Sequence, residues 1–352
     1  MNGLTARALT AKITAYAVSV FVGVALFAAI IRIAGLENIL GSVRKFSPIY
    51  AVPFLLATLA HFVAATYRWK VLLASEGAKI SIWTLLKHKL IVFSVNYFTP
   101  AARLGGEPLK IFLLKRRGVK SSKTLASVVV DNFVGMGIDA LVAGFALLAL
   151  FFAAGVGRQV RELSFLLGVT SLAAVGGSYL LLIKRKGIFS NLMLLAGKAT
   201  GLKKKKAFAL VFRRIRTAEK YTRTMLIKKP KVLLKSVLFA AMSWPLTIVQ
   251  YKFALLMLGV DASIVQIVFS IVALSFTSML PVPAALGVQE AGQFSAFKMF
   301  SANPHAGVAL SLVLRAKDLL LVLLSFILLS REGVNLFRIL DKRGIASRRK
   351  RK

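Results

Sequence analysis

The sequence predicts an all-α polytopic membrane protein of about six full spans plus two re-entrant helical hairpins, arranged as an inverted repeat. Three observations lead there. Hydrophobic residues make up 57% of the 352 residues, mean hydropathy is +0.75 and 17% of residues are charged, which is too apolar for a soluble domain of this length. Apolar stretches of the ~20 residues that a membrane-crossing helix needs recur along the chain. Two polar breaks also echo one another: PAARLGGE at 100–107 and PAALGVQE at 283–290 both open Pro-Ala-Ala, carry glycine and close on glutamate.

Six stretches qualify as spans, at about 13–34, 48–67, 124–154, 163–183, 232–258 and 307–330. The first is longer than the ~7–15 residues of a signal-peptide core and is read as a retained span. Two further apolar stretches, about 81–115 and 264–301, are interrupted midway by the echoing breaks and read as re-entrant hairpins. Pro and Gly interrupt a helix, and at membrane depth such a break survives only where protein or a wet cavity covers it. Matching breaks in two halves are the mark of a transporter-like binding site.

Charge orients this plan. Residues 184–231 hold 16 Lys/Arg and one acid, Glu219, and the tail 331–352 ends SRRKRK. Basic loops stay cytoplasmic, which places both segments, the basic stretch 110–123 and the N-terminus on that side. Gly155 to Glu162 has two Arg and one Glu, while 259–263 and 301–306 have no Lys or Arg; these loops fall outside. The first membrane repeat then covers 1–155 and the second 156–330, with opposite orientations. Phe208, Phe212, Ile215 and Met225 recur near a helical period among basic residues, which predicts an interfacial amphipathic helix within 202–227.

The net charge of +37 would suggest nucleic acid in a soluble protein. Here it clusters between apolar runs without a recognition motif, so anionic lipid headgroups are the expected partners. With no cysteine, disulfides and thiol chemistry are excluded. His61, His88 and His305 lack ligand spacing and no GxxxxGK[ST] loop is present, so no metal, cofactor or ATP hydrolysis is expected.

An ionisable residue inside a span costs about 2.5–3.5 kcal/mol and needs a partner or a purpose. Arg103 and Glu107 stand four apart around Gly105 and Gly106, with Lys110 just beyond. An arginine fork beside backbone N–H groups freed by the glycines would receive a phosphate oxyanion; the same two side chains also fit a structural i,i+4 pair. In the second break Gly287 precedes Glu290, a carboxylate that could titrate or pair with a distant base. Asp131 and Asp139 lie eight apart, about 80° around a helix, and so can face one cavity. Arg315 and Asp318, three apart, read first as a self-neutralising pair.

The runs YFTPAARLGGEPLKIFLLKRRGVKSSKTLASVVVDN (97–132) and PVPAALGVQEAG (281–292) resemble the flippase-like membrane family typified by the transmembrane region of lysylphosphatidylglycerol synthases. The resemblance implies translocation of lipids between leaflets, with Arg103, Gly105, Glu107 and Pro108 matching the first family motif and Gly287 and Glu290 the second. Where the family usually carries Glu-Arg, this chain has Asp131-Asn132, which keeps the acid and loses the base. About 22 residues follow the last span, so the soluble aminoacyl-transferase domain of the full synthases is not expected.

The function expected is therefore translocation of an anionic or phosphate-bearing lipid, not catalysis, in a plasma-membrane protein with both termini cytoplasmic. The substrate-binding residues expected are Arg103, Gly105, Gly106, Glu107, Lys110, Asp131, Asp139, Gly287, Glu290, Arg315 and Asp318. The alternatives are an integral-membrane enzyme acting on lipid phosphates and a membrane scaffold for a separate lipid-modifying enzyme or glycosyltransferase.

Overall fold

The computed structural model describes residues 3–44, 46–99, 105–152, 157–184, 188–199, 206–280, 282–300 and 303–331, and every regular element among them is helical. The Leu-, Ala- and Val-rich runs form the long helices α1 (Gly3–Ala34), α3 (Ala51–Ser75), α6 (Ser121–Phe151), α7 (Arg158–Lys184), α10 (Pro230–Met257) and α13 (Pro304–Arg331). Shorter helices are α2 (Leu36–Arg44), α4 (Ile82–Phe98), α5 (Glu107–Arg116), α8 (Ile188–Ala199), α9 (Lys206–Lys228), α11 (Ile264–Met279) and α12 (Val288–Met299).

Among the described residues, five stretches are long and apolar enough to cross a bilayer: Ala17–Ala34, Pro48–Ser75, Ser121–Phe151, Val160–Leu181 and Pro230–Met257. The sixth stretch expected is present as α13, 28 residues long. Arg315, Lys317 and Asp318 in its middle keep it out of that apolar set. The described residues are thus all-helical in their regular structure, and the molecule is a polytopic membrane protein.

Both interrupted stretches fold as helix–break–helix pairs: α4 and α5 flank residues 99–106, and α11 and α12 flank 280–287. The blocks α3–α6 and α10–α13 share one plan, with connections of six residues (76–81, 258–263), eight across the breaks, and four (117–120, 300–303). Helices α3 and α10 end alike. The C′ glycines Gly77 and Gly259 take φ of 78° and 68°, and the N–H groups of Ala78 and Val260 return to the carbonyls of Leu73 and Leu255 at 3.2 and 3.0 Å, the Schellman arrangement.

The two equivalent helices run antiparallel. Gln250 Nε2 donates to Thr58 Oγ1 at 2.5 Å, Thr247 Oγ1 meets His61 Nδ1 at 3.2 Å, and Phe239 stacks on Tyr67 with ring centres 5.8 Å apart; residue numbers fall along α10 as they rise along α3.

The amphipathic helix expected within 202–227 is α9. Its Met225 is buried with Leu72, Val130, Val134 and Ala240, so this end of the apolar face packs on α3, α6 and α10. Arg213, Arg216 and Lys220 on the same helix are exposed. The terminal basic run 347–352 lies outside the described residues.

Gly287 seats the second break on α1. It takes φ 74°, and a Cβ there would come 2.6 Å from Leu26 Cβ and 2.7 Å from the Gly23 carbonyl oxygen. Gly287→Ala combines left-handed backbone strain of about 1–2 kcal/mol with overpacking of about 1–3 kcal/mol, and should lower the melting temperature of the purified protein by several degrees. Gly137→Ala, where an added Cβ meets nothing within 4 Å, should not; equal melting temperatures for the two variants would contradict the packing described.

Candidate functional site

Immediately after the first break, α5 opens with Glu107, and Lys110 one turn on reaches it at 3.0 Å. Lys110 also stands 3.8 Å from Asp131 on α6 and over the Trp69 ring at 5.2 Å. Asp131 completes the chain with Arg68 of α3, whose Nε donates to Oδ1 at 2.6 Å. Asp131 is 1% exposed and Lys110 4%, so each charge depends on its partners. Gly135, one turn along α6, leaves room for Arg68, since a Cβ would sit 3.0 Å from its Nη2.

At the second break, Glu290 is fully buried and accepts from Arg315 of α13 through Nη2 at 2.6 Å and Nε at 3.0 Å. The Arg315 Nη1 reaches the carbonyl of Ala284 at 3.2 Å and the hydroxyl of Tyr97, on α4, at 3.4 Å. One guanidinium thereby ties both breaks together. Ala284 and Ala285 take φ of 54° and 48°, a left-handed conformation that costs L-residues roughly 1–2 kcal/mol each, and Arg315 holds the strained segment by its carbonyl.

Between the breaks lies a cavity of about 450 Å³. Thr99 and Glu107 bound it at the first break and Val282, Ala284 and Ala285 at the second. Its wall repeats in register. Thr58, His61 and Arg68 of α3 answer Ala240, Ser243 and Gln250 of α10, and Lys89, Phe93 and Asn96 of α4 answer Ile271, Ser275 and Ser278 of α11, all lining the cavity and every pair 182 residues apart. The chemistry does not repeat: the register partner of Arg68 is a glutamine, Gln250, and that of Lys89 an isoleucine, Ile271. The described wall holds four cations (Arg68, Lys89, Lys110, Lys317) and four carboxylates (Glu107, Asp131, Asp139, Asp318).

Of the residues singled out in the sequence, Glu107, Lys110, Asp131, Asp139 and Asp318 line this cavity. Arg103 lies outside the described residues. Gly106 is a packing position: its N–H donates to Asn96 Oδ1 at 2.5 Å, and a Cβ would sit 2.7 Å from the Val92 carbonyl oxygen. That donor serves the hairpin itself and is not open to an oxyanion. Gly105 abuts Thr99, and Gly287 packs on α1.

The expected Arg315–Asp318 pair gives way to two others, because Arg315 reaches Glu290 while Asp318 takes the neighbouring Lys317 at 2.9 Å. Asp139 accepts from Trp244 Nε1 at 3.1 Å. The base lost at Asn132 is supplied to Asp131 from elsewhere, by Arg68 and Lys110. Sequence reasoning missed Arg68, Lys89 and Lys317. Arg68 falls one residue past the expected span end and Lys89 inside an expected hairpin arm, so the cost of an intramembrane charge was a usable signal for both.

A family model described as the lysylphosphatidylglycerol synthase TM region matches residues 16–325. A UPF0104 membrane protein from Methanothermobacter thermautotrophicus is 24% identical over 335 residues, covering 90% of this chain and 93% of the relative. Another, from Pyrococcus horikoshii, is 24% identical over 309 residues, covering 84% and 90%. No solved structure gives a significant match.

Removing one member of a buried ion pair strands the other and costs about 3–5 kcal/mol. Asp131→Asn should therefore destabilise the protein by that order in thermal or denaturant unfolding, and adding Arg68→Met should recover part of the loss. Additive losses in the double variant would contradict the pairing.

Proposed function

The chain belongs to the family of the lysylphosphatidylglycerol synthase transmembrane region, and from that premise we propose that it translocates a phosphate-bearing lipid between bilayer leaflets. One observation carries the reading: a charged cavity lies between two helix breaks in a chain otherwise built of apolar helices. A lipid headgroup needs a polar passage through the hydrocarbon, whereas its acyl chains do not and remain in the bilayer.

In this reading α13 is the sixth span, its charges turned to the cavity and to Glu290, and the pairs α4–α5 and α11–α12 are re-entrant. The matched connections, the 182-residue register and the antiparallel course of α3 and α10 support an inverted repeat about the cavity, the plan expected of alternating access. Arg103, Glu107, Lys110, Asp131, Asp139, Arg315 and Asp318 form the headgroup path. Gly105, Gly106 and Gly287 shape the breaks, and Glu290 fixes Arg315. The basic segment 184–231 and both termini lie on the cytoplasmic side of the plasma membrane, against anionic headgroups.

Two measurements test this. In proteoliposomes, the wild type should exchange a fluorescent phospholipid between leaflets, and Arg103→Ala should lower the rate at least about tenfold, the loss expected for one charge-assisted contact. Wild-type exchange equal to that of empty liposomes would overturn the proposal, and chemical turnover of a lipid by detergent-solubilised protein would favour the enzyme instead. Because the chain has no cysteine, single labels report topology: Arg216→Cys should react with an impermeant thiol reagent from the cytoplasmic side and Asp261→Cys from the outside. Reaction of both from the reversed sides would overturn the cytoplasmic placement of 184–231, and reaction of both from one side would overturn α10 as a span.

A further inference from the structure

The walls of the cavity differ in what they offer a ligand. Arg68, Lys110 and Lys317 each have a carboxylate within 4.0 Å. Lys89 does not among the described residues; its ammonium donates to the carbonyl of Ala65 at 2.6 Å. An ammonium has three donors, and the Ala65 carbonyl takes one, so Lys89 keeps N–H groups for a ligand, and an anionic ligand beside it would favour its charged form. Two turns along the same face of α4, Asn96 accepts from Gly106 through Oδ1, which leaves its amide NH₂ as a donor. The α4 wall therefore offers hydrogen-bond donors.

The α10–α11 wall offers the reverse. The hydroxyls of Ser243, Thr247 and Ser275 donate to their own helices, at Phe239, Ser243 and Ile271 carbonyls, over 3.0, 2.9 and 2.9 Å. A hydroxyl has one proton to give. With that proton spent, the Ser243 and Ser275 oxygens meet the cavity as acceptors, while the Thr247 oxygen already takes the His61 ring at 3.2 Å and keeps one lone pair, and no cation stands at the register partner of Lys89, which is Ile271.

We propose that Lys89 is the phosphate anchor of this cavity and that its ligand is a phosphodiester lipid whose headgroup itself donates hydrogen bonds. The phosphate oxygens, acceptors only, lie against Lys89 on α4. The donor-bearing remainder of the headgroup lies against Ser243, Thr247 and Ser275. Hydroxyls of a glycerol or sugar, and N–H groups of a primary ammonium, meet this requirement alike. A quaternary ammonium has no donor and does not. This inference rests on the cavity being the headgroup path, yet it concerns binding alone and is tested without transport.

The test is equilibrium binding of short-chain phosphatidylglycerol, phosphatidylethanolamine and phosphatidylcholine to the full chain purified in detergent. Phosphatidylglycerol or phosphatidylethanolamine should bind at least about tenfold tighter than phosphatidylcholine, and which of them binds tighter identifies the donor as hydroxyl or ammonium. Lys89→Met should weaken the preferred lipid about tenfold or more, as loss of a charge-assisted bond implies, and Lys89→Arg should restore most of it. Ser243→Ala with Ser275→Ala should reduce the preference over phosphatidylcholine. Phosphatidylcholine binding as tightly as the other two in the wild type, which needs no variant to fold, would overturn the donor requirement. Unchanged affinity in a Lys89→Met protein with wild-type melting temperature would overturn the anchor. Absence of leaflet exchange with this binding pattern intact would count against transport and leave the ligand assignment standing.

Discussion

The guanidinium of Arg315 is bonded at once to Glu290, to the carbonyl of Ala284 and to the hydroxyl of Tyr97. A planar fork with five donors can satisfy three acceptors in different directions, and here those acceptors belong to α12, to the second break and to α4 beside the first break. An unpaired carboxylate at the burial of Glu290 would be untenable. The pair therefore fixes where α12 sits on α13, and the contacts to Ala284 and Tyr97 fix how the two breaks approach. Left-handed Ala284 and Ala285 are tolerated because this clasp and the close seat of Gly287 on α1 determine the backbone around them.

The first break is secured differently. Glu107, Lys110, Asp131 and Arg68 form a line of alternating charge from α5 through α6 to α3, so three helices are held by groups that each need the next. The two halves thus solve one problem, a broken helix pair in an apolar surround, with related positions and different chemistry. Their shared 182-residue register at the cavity wall preserves geometry, while the substitutions within it, arginine against glutamine and lysine against isoleucine, make one wall cationic and the other neutral and polar.

Much of this was legible in the sequence. The long helices follow from apolar run length, both breaks from Pro and Gly placement, and the involvement of Glu107, Asp131, Glu290 and Arg315 from the cost of a charge in an apolar stretch. The partners were not legible. Arg68 and Asp131 are 63 residues apart, and Arg315 and Glu290 are 25 apart on different helices, so no helical period links them, whereas Arg315 and Asp318 share a face and suggested a pair that the fold does not make. Gly106 was read as freeing a donor, but its partner Asn96 is ten residues earlier and is brought there by the hairpin. The register between α3 and α10 was hidden because the paired wall residues differ in type, His61 against Ser243 and Arg68 against Gln250.

The central claim is that a lipid headgroup occupies the cavity between the two breaks. A phospholipid bearing a photoreactive headgroup, irradiated with the protein in membranes and followed by peptide mapping, tests it most directly. Cross-links should fall on the cavity faces of α3, α4, α10 and α11, around Lys89, Asn96, Thr247 and Ser275. Cross-links confined to outward positions such as Phe165 and Leu166 on α7, both exposed, would contradict the account.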